Sequence, residues 1–246
     1  MILGIDIGGS GIKGALVDLE VGSLTTDRYK LSTPQPATPL AVCGTLQELV
    51  MHFSYEGPVG CTFPAIVKNG VTWSAANVDE GWVGTDAAGL FSDTLGMPVT
   101  LVNDADAAGV AEVAHGAAKD RKGVVMIITL GTGVGSALVV DGQLVPNTEL
   151  GHLEFKGHES AEDYMAARVR DDSKLSWSTW GKRVGAYLQH VERLFSPDLF
   201  VIGGGVSRKF ERFAGYLKVN AEVVPARFEN QAGIIGAAIQ ADLSRR

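Results

Sequence analysis

Cysteine is scarce in this chain, with Cys43 and Cys61 alone among 246 residues. Two thiols build no disulfide framework, and their separation of 18 positions matches no metal-binding pair, so both read as reduced, small hydrophobes. Proline (9 residues) and aromatic side chains (7%) are also few, charged residues make up only 20%, and no tract is compositionally biased. With an apolar fraction of 46%, that excludes a disordered protein or a long flexible linker. The opening Met-Ile-Leu-Gly-Ile-Asp lacks the basic region and apolar stretch of a secretory leader, so the expected location is cytoplasmic. Long uncharged runs are rare. The one from Gly123 to Val140 covers 18 residues, about the minimum for a spanning helix, but four glycines with Thr129, Thr132 and Ser136 interrupt it. Its flanks VVMIITL and SALVV are β-branched, so it reads as strand, glycine turn, strand, and no membrane partner is expected. What remains is an ordinary globular chain, long enough to bury a core in one large domain or two small ones.

The net charge, 21 Lys+Arg against 28 Asp+Glu or −7, is unevenly spread. Residues 1 to 155 carry 7 basic against 17 acidic side chains, whereas residues 156 to 246 carry 14 against 11, a net of +3. The second part is able to face an anion, the ordinary alternative being a solvated surface.

Strands and helices alternate along the chain, which points to an α/β fold. Ile2 to Ile7 and Ile12 to Leu19 flank Gly8-Gly9-Ser10-Gly11 as a glycine hairpin, and a third strand is expected near Asp27 to Ser32. An amphipathic helix from about Pro39 to His52 precedes a buried strand at Gly57 to Phe63. A helix over Gly84 to Leu95, a strand at Val99 to Asn103 and a small-residue helix at Ala105 to Ala117 follow. After the Gly123 to Val140 hairpin come helical stretches near Ala161 to Arg170 and Ser178 to Phe195, the strand Leu199 to Ile202, and a last helix over Gly233 to Leu243. The strand, glycine turn, strand unit occurs twice, at Ile5 to Ala15 and Ile128 to Leu138, so two similar halves meeting at a cleft are expected.

Gly9 to Gly14 satisfies the G-x-G-x-x-G pattern of a dinucleotide site, but that pattern requires a helix to follow, and Ala15-Leu16-Val17-Asp18-Leu19 reads as a strand. A glycine hairpin instead offers backbone N–H groups to phosphate oxygens, since no side chain blocks the approach. Asp6 is then placed to hold Mg²⁺ through water, and Lys13 to support the turn or the phosphate. A second such loop, Gly131-Thr132-Gly133, adds a hydroxyl, and two loops facing one cleft can clamp a chain of phosphates. Gly203 to Gly205, ahead of Ser207-Arg208-Lys209, is a third position for phosphate or nucleotide. Asn103-Asp104 closes an apolar strand, putting a carboxylate at the C-terminal edge of a sheet, where it can accept a proton from a substrate hydroxyl attacking phosphorus. The alternative for Asp104 is a helix cap, and Asp106 competes for either role. Glu149 and His152, with Glu162 beyond, suit the hydroxyls of a sugar ring; as a zinc pair, Glu149 and His152 lack companions other than His158.

Together these segments resemble a known family. DIGGSGIKGALVD at Asp6 to Asp18, LVNDADAA at Leu101 to Ala108, LGTGVGSALV at Leu130 to Val139, ELGH at Glu149 to His152 and VIGGGVS at Val201 to Ser207 are similar to the ROK sugar kinases. That group lies within the actin-like ATPase superfamily, and the resemblance spans nearly the whole chain in order. Most members follow ELGH with a cysteine-rich zinc loop; here KGHESAED occupies Lys156 to Asp163, so no structural zinc is expected. With SAANVDEGWVG at Ser74 to Gly84 and NTELGH from Asn147, the chain looks like the polyphosphate-dependent glucokinases.

The resemblance implies a two-lobed α/β fold of the ribonuclease H-like type with a central cleft. Its first lobe is expected over residues 1–108 and 233–246, with the first phosphate hairpin and the catalytic aspartate, and its second over 109–232. It implies glucose as acceptor and inorganic polyphosphate, ATP or both as donor, with Mg²⁺, no nucleic acid and no membrane, and a homodimer. Asp104 is then the base, and Asn77, Asn103, Glu149, His152 and Glu162 bind the sugar, Glu154 and Glu159 competing for the last place. Gly8, Gly9, Ser10, Gly11, Lys13, Gly131, Thr132, Gly133, Gly204 and Gly205 hold phosphate, and Asp6 the metal. Lys182, Arg183, Arg208, Lys209 and Arg212 are the expected basic track for a long anion. The alternatives are a strictly ATP-dependent hexose kinase and a sugar-responsive repressor. The latter is disfavoured because the phosphate hairpin begins at Asp6, leaving no place ahead of it for a helix-turn-helix.

Overall fold

A computed structural model describes residues 1–75 and 78–245. Asn77, expected at the sugar, lies outside the described residues. The chain divides into two compact units, Met1–Ala111 with Gln231–Arg246, and Glu112–Asn230. The division falls at 111/112 and 230/231, where the sequence reading placed it at 108/109 and 232/233. No described helix is long and apolar enough to cross a membrane.

The first unit is built on β1 (Ile2–Ile7), β2 (Gly11–Asp18), β3 (Ser23–Leu24), β4 (Tyr29–Ser32), α1 (Pro39–Phe53), β5 (Val59–Phe63), a small hairpin of β6 (Val67–Lys68) and β7 (Val71–Thr72), α2 (Ala87–Leu95), β8 (Val99–Asn103) and α3 (Asp104–His115). Its sheet runs β3-β2-β1-β5-β8, with β4 also paired to β2. β1 is antiparallel to β2 and parallel to β5, and β5 is parallel to β8. Central parallel strands are covered on both faces, and β5 (VGCTF) is buried at all five positions. Cys43 and Cys61 are both free and buried, and burial pushes the Cys61 thiol pKa up, as inert hydrophobes require.

The helix at Ala232–Leu243 returns to this first unit, and glycines let it do so. A Cβ at Gly4 would lie 2.0 Å from the Ile234 carbonyl oxygen, one at Gly60 1.9 Å from that of Ala237, and one at Gly236 1.8 Å from that of Ala107. Two strands and α3 therefore meet this helix backbone to backbone. α1 starts at the Thr38 cap, whose hydroxyl accepts the Ala41 N–H, with Pro39 in the first turn, and it ends on left-handed Ser54.

The second unit contains β9 (Val124–Leu130), β10 (Val134–Val140), β11 (Gln143–Val145), α4 (Glu162–Met165), α5 (Ala167–Asp172), α6 (Trp177–Phe195), β12 (Leu199–Gly203) and β13 (Glu222–Pro225). Its sheet order is β11-β10-β9-β12-β13. β9 is antiparallel to β10 and parallel to β12, repeating the pattern of β1 with β2 and β5. The uncharged run at 123–140 is thus a hairpin, and α6 covers the sheet with Trp180, Val184, Tyr187, Leu188 and Val191.

The sequence reading differs from the structure in places. The expected 161–170 helix is two short pieces, because Ala166 turns to an extended ψ of 155° between them. β11 and β13 are edge strands too short and mixed in character to stand out in the sequence. Charge is also distributed otherwise than a cut at residue 155 suggested. The first unit holds 6 Lys+Arg against 13 Asp+Glu, and the second 15 against 15, so the whole excess of −7 belongs to the first.

Candidate active site

In the first unit the β1–β2 hairpin closes with Ile7 opposite Ile12, leaving Gly8-Gly9-Ser10 as the turn. The Gly8 N–H donates to the Gly11 carbonyl at 3.1 Å, and the Thr33 hydroxyl and Gln35 amide tie the Gly8 and Gly9 carbonyls from outside. Carbonyls held that way leave the turn's tip to donors, which suits an anion. Gly11, expected in the loop, already belongs to β2 and is buried, while Lys13 lies in β2 as the strand reading over Ile12 to Leu19 had it. No helix follows, so the dinucleotide reading of GSGIKG is excluded.

Asp6 sits opposite Lys13 across the hairpin and opposite Thr62 across the β1–β5 pair. Its Oδ2 accepts from Lys13 Nζ at 2.9 Å and its Oδ1 from the Thr62 hydroxyl at 2.9 Å. The first turn of the C-terminal helix abuts it, a Cβ at Gly233 being 3.2 Å from its carboxyl carbon. A helix N-terminus favours the anion there. Among the described residues no trio of His, Cys, Asp or Glu lies close enough to enclose a metal. A single carboxylate fits Mg²⁺ nonetheless, because that ion keeps several waters and takes its other ligands from substrate phosphates. Asp6 would hold it through water, and the ion would neutralise charge on the transferring phosphate.

Asn103 and Asp104 divide the cap between them. Asn103 is buried, its Oδ1 accepts the Ala105 and Asp106 N–H groups at 2.9 and 3.1 Å, and its amide donates to the Ala65 carbonyl at 3.1 Å. Asn103 thus takes two first-turn amides of α3, and Asp104, the first residue of that helix, stands exposed at the sheet edge. Its Oδ1 accepts the Ala105 N–H at 2.8 Å. Asp106, which competed for the role in the sequence, is 1% exposed and faces inward.

In the second unit Gly131-Thr132-Gly133 is the three-residue turn between β9 and β10. The Gly131 N–H donates to the Gly133 carbonyl, and the Gly131 carbonyl accepts the Arg168 N–H at 3.1 Å, so α5 pins the loop. Glu162 reaches the same place: its Oε2 accepts the Val134 N–H at 3.1 Å. Glu149 and His152 bracket a short 3₁₀ turn, with Nε2 and Oε2 3.7 Å apart, and the Ser160 hydroxyl lies 3.5 Å from the His152 Nδ1. The turn is fixed by Gly151, where a Cβ would lie 2.0 Å from the Val134 carbonyl oxygen. The Glu149 carboxyl titrates above its ordinary range, chiefly because it is buried; His152 pulls it down, and the Glu162 charge pushes it up. The structure thus groups Glu149, His152 and Glu162, while Glu154 and Glu159 are exposed on the loop between.

A cleft of about 490 Å³ opens beside this hairpin, lined by Gly131, Thr132, Arg168, Arg170, Trp177 and Lys209 among others. Gly205 lines it too, whereas Gly204 (φ 81°) is a packing requirement, since a Cβ there would lie 2.3 Å from the Leu130 carbonyl oxygen. The basic track expected from the sequence is only partly here. Lys209 lines the cleft and Arg212 stands 5.8 Å from the Trp177 ring, but Arg208 pairs with Glu229 at 2.8 Å and Arg183 packs on Tyr164 at 4.9 Å. Arg168 and Arg170 were missed because Asp171 and Asp172 follow them and the stretch reads as charge-balanced surface.

With this geometry in view, the chain belongs to the ROK family, whose description matches residues 2–163. Polyphosphate glucokinases from Mycobacterium tuberculosis (strain CDC 1551 / Oshkosh) and Mycobacterium leprae (strain TN) are each 50% identical to it over 237 residues, 96% of this chain and 89% and 73% of theirs. Among solved structures, the inorganic polyphosphate/ATP-glucomannokinase of Arthrobacter sp. strain KM matches with a TM-score of 0.94 and 48% identity, over 99% of this chain and 98% of that one. A ROK glucokinase from Streptomyces griseus, solved with glucose and AMPPNP, shares the fold at a TM-score of 0.84 and 24% identity, over 98% and 99% of the two chains.

Proposed function

We propose that this chain is a glucokinase that transfers the terminal phosphoryl group of inorganic polyphosphate, and of ATP, to the 6-hydroxyl of glucose. The observation that carries the chemistry is Asp104, an exposed carboxylate at the C-terminal edge of a parallel strand, beside the Asn103 that caps α3. Asp104 accepts the proton of the sugar hydroxyl as that oxygen attacks phosphorus. The bond from phosphorus to the bridging oxygen breaks, and the donor leaves one phosphate shorter.

Glu149, His152 and Glu162 hold the sugar hydroxyls, Asn103 contributes from the strand end, and Asn77 is assigned by family resemblance alone. The turns at Gly8–Ser10 and Gly131–Gly133 hold phosphate, with Lys13 balancing Asp6, and Mg²⁺ accompanies the donor. The first unit carries the base and the second the sugar carboxylates and donor cleft. A cytoplasmic homodimer without nucleic-acid partners fits this reading.

Purified protein given glucose, Mg²⁺ and either long-chain polyphosphate or ATP, with glucose 6-phosphate followed by a coupled assay, tests it. Product from both donors is expected. Product from ATP alone leaves a strictly ATP-dependent hexose kinase, and product from neither removes the reading.

A further inference from the structure

The cleft beside the Gly131–Gly133 turn has one aromatic side chain in its lining, Trp177, and that ring is already covered. The Arg170 guanidinium carbon lies 3.7 Å from the ring centroid, Phe213 runs nearly parallel at 6.0 Å, and Arg212 and Lys209 approach to 5.8 and 6.0 Å. A guanidinium at 3.7 Å occupies the face on which another flat ring would stack. Arg170 is also a cation of the cleft wall, its side chain 23% exposed. Its Nε is buried with no hydrogen-bond partner, and its Nη1 is paired to Asp171, a largely exposed carboxylate whose hold is weakened by water.

The remaining lining continues the theme. Arg168 and Lys209 stand with Arg170 against Asp171 and Asp172, so the charged lining sums to three minus two, or +1. One end of the cleft is the phosphate turn itself, its Gly131 carbonyl held by the Arg168 N–H. A ligand extending away from that turn meets cations and a shielded indole, not an open aromatic slot.

Resting on the glucokinase reading above, we propose that Arg170, laid over Trp177, selects the phosphoryl donor: it favours an unbranched phosphate chain and denies a purine the aromatic face. A phosphate chain carries charge along its whole length and gains from each cation. A nucleotide carries its charge at one end and must displace Arg170 to stack. The planar guanidinium is essential to both effects, since lysine brings a point charge without the plane.

The test is the ratio of kcat/KM for long-chain polyphosphate to that for ATP, measured on one preparation so that any loss of folded protein cancels. Arg170→Met should lower this ratio at least tenfold, through a higher KM for polyphosphate and an unchanged or lower KM for ATP. Arg170→Lys should fall between Met and the wild type. Trp177→Leu, which removes the platform, should raise the polyphosphate KM without any gain for ATP. A ratio within twofold of wild type in Arg170→Met, both donors falling together, overturns the proposal and leaves Arg170 a structural residue. Failure of the underlying reading looks different, because the wild type would then make no product from polyphosphate before any variant is examined.

Discussion

The Glu162 carboxylate accepts the backbone N–H of Val134 at 3.1 Å, which fixes a candidate sugar ligand to the strand that leaves the second phosphate turn. The proposed acceptor and donor sites are thereby joined through this hydrogen bond, and Gly133 makes room for it. A Cβ at Gly133 would lie 2.5 Å from Glu162 Oε2, the mobile end of a side chain that can swing away. Gly133→Ala should therefore raise the glucose KM about tenfold, the loss of one charge-assisted hydrogen bond, with little change in melting temperature. Steady-state kinetics beside a thermal melt checks it. An unchanged KM would mean that Glu162 does not touch the sugar.

Asp104→Asn should lower kcat by at least 100-fold, the usual contribution of a positioned base, while glucose still binds. The cap is supplied by Asn103, so the variant keeps α3 and the fold. A variant retaining more than a few per cent of wild-type kcat removes Asp104 from the role of base.

Glu149 sets a pH dependence. Its carboxyl pKa is raised, mainly by burial, so the folded protein binds a proton more readily there than the unfolded chain. This group's contribution to stability is complete below the ordinary carboxylate value and falls as pH rises through the raised one. Sugar binding runs the other way, because the ionised carboxylate is the better acceptor. Acidification through the raised pKa should weaken glucose binding, and Glu149→Gln should flatten that acid limb. Calorimetric titration of glucose from neutral pH downward reads both, and an equally steep limb in the variant would assign it elsewhere.

Much of this site was legible because its parts are local in sequence. Glycine turns between β-branched strands announce themselves, and a strand ending in Asn103-Asp104 puts its carboxylate at a sheet edge whatever surrounds it. Two things were not legible. The split between Asn103 as cap and Asp104 as exposed carboxylate depends on which side chain turns back to the α3 amides. The Arg170–Trp177 stack joins α5 to the start of α6, and its cations lie next to acids that cancel them in any running charge count. Lys182, Arg183 and Arg208 looked equally basic in the sequence, but Arg183 and Arg208 are engaged by Tyr164 and Glu229.

Two glycines of the first unit make the last prediction, since the same substitution should act in opposite directions. Gly60 lies in β5 under the C-terminal helix, where a new methyl would sit 1.9 Å from the Ala237 carbonyl oxygen. The blocking atom is backbone in a buried helix, so neither side can yield without separating strand and helix. Gly60→Ala should cost about 3 kcal/mol or more, the upper range for overpacking. Gly44 lies on the exposed side of α1 with nothing within 4 Å of the added carbon. There alanine only restricts the unfolded chain and improves helix propensity, and Gly44→Ala should stabilise by about 0.5–1 kcal/mol. For a chain of this size that is an increase in Tm of about 1–4 °C, against a fall of roughly 6 °C or more for Gly60→Ala. Thermal melts of the two variants beside the wild type decide it. A Gly60→Ala protein melting within a degree of wild type would show that the C-terminal helix is not seated on β5 as described.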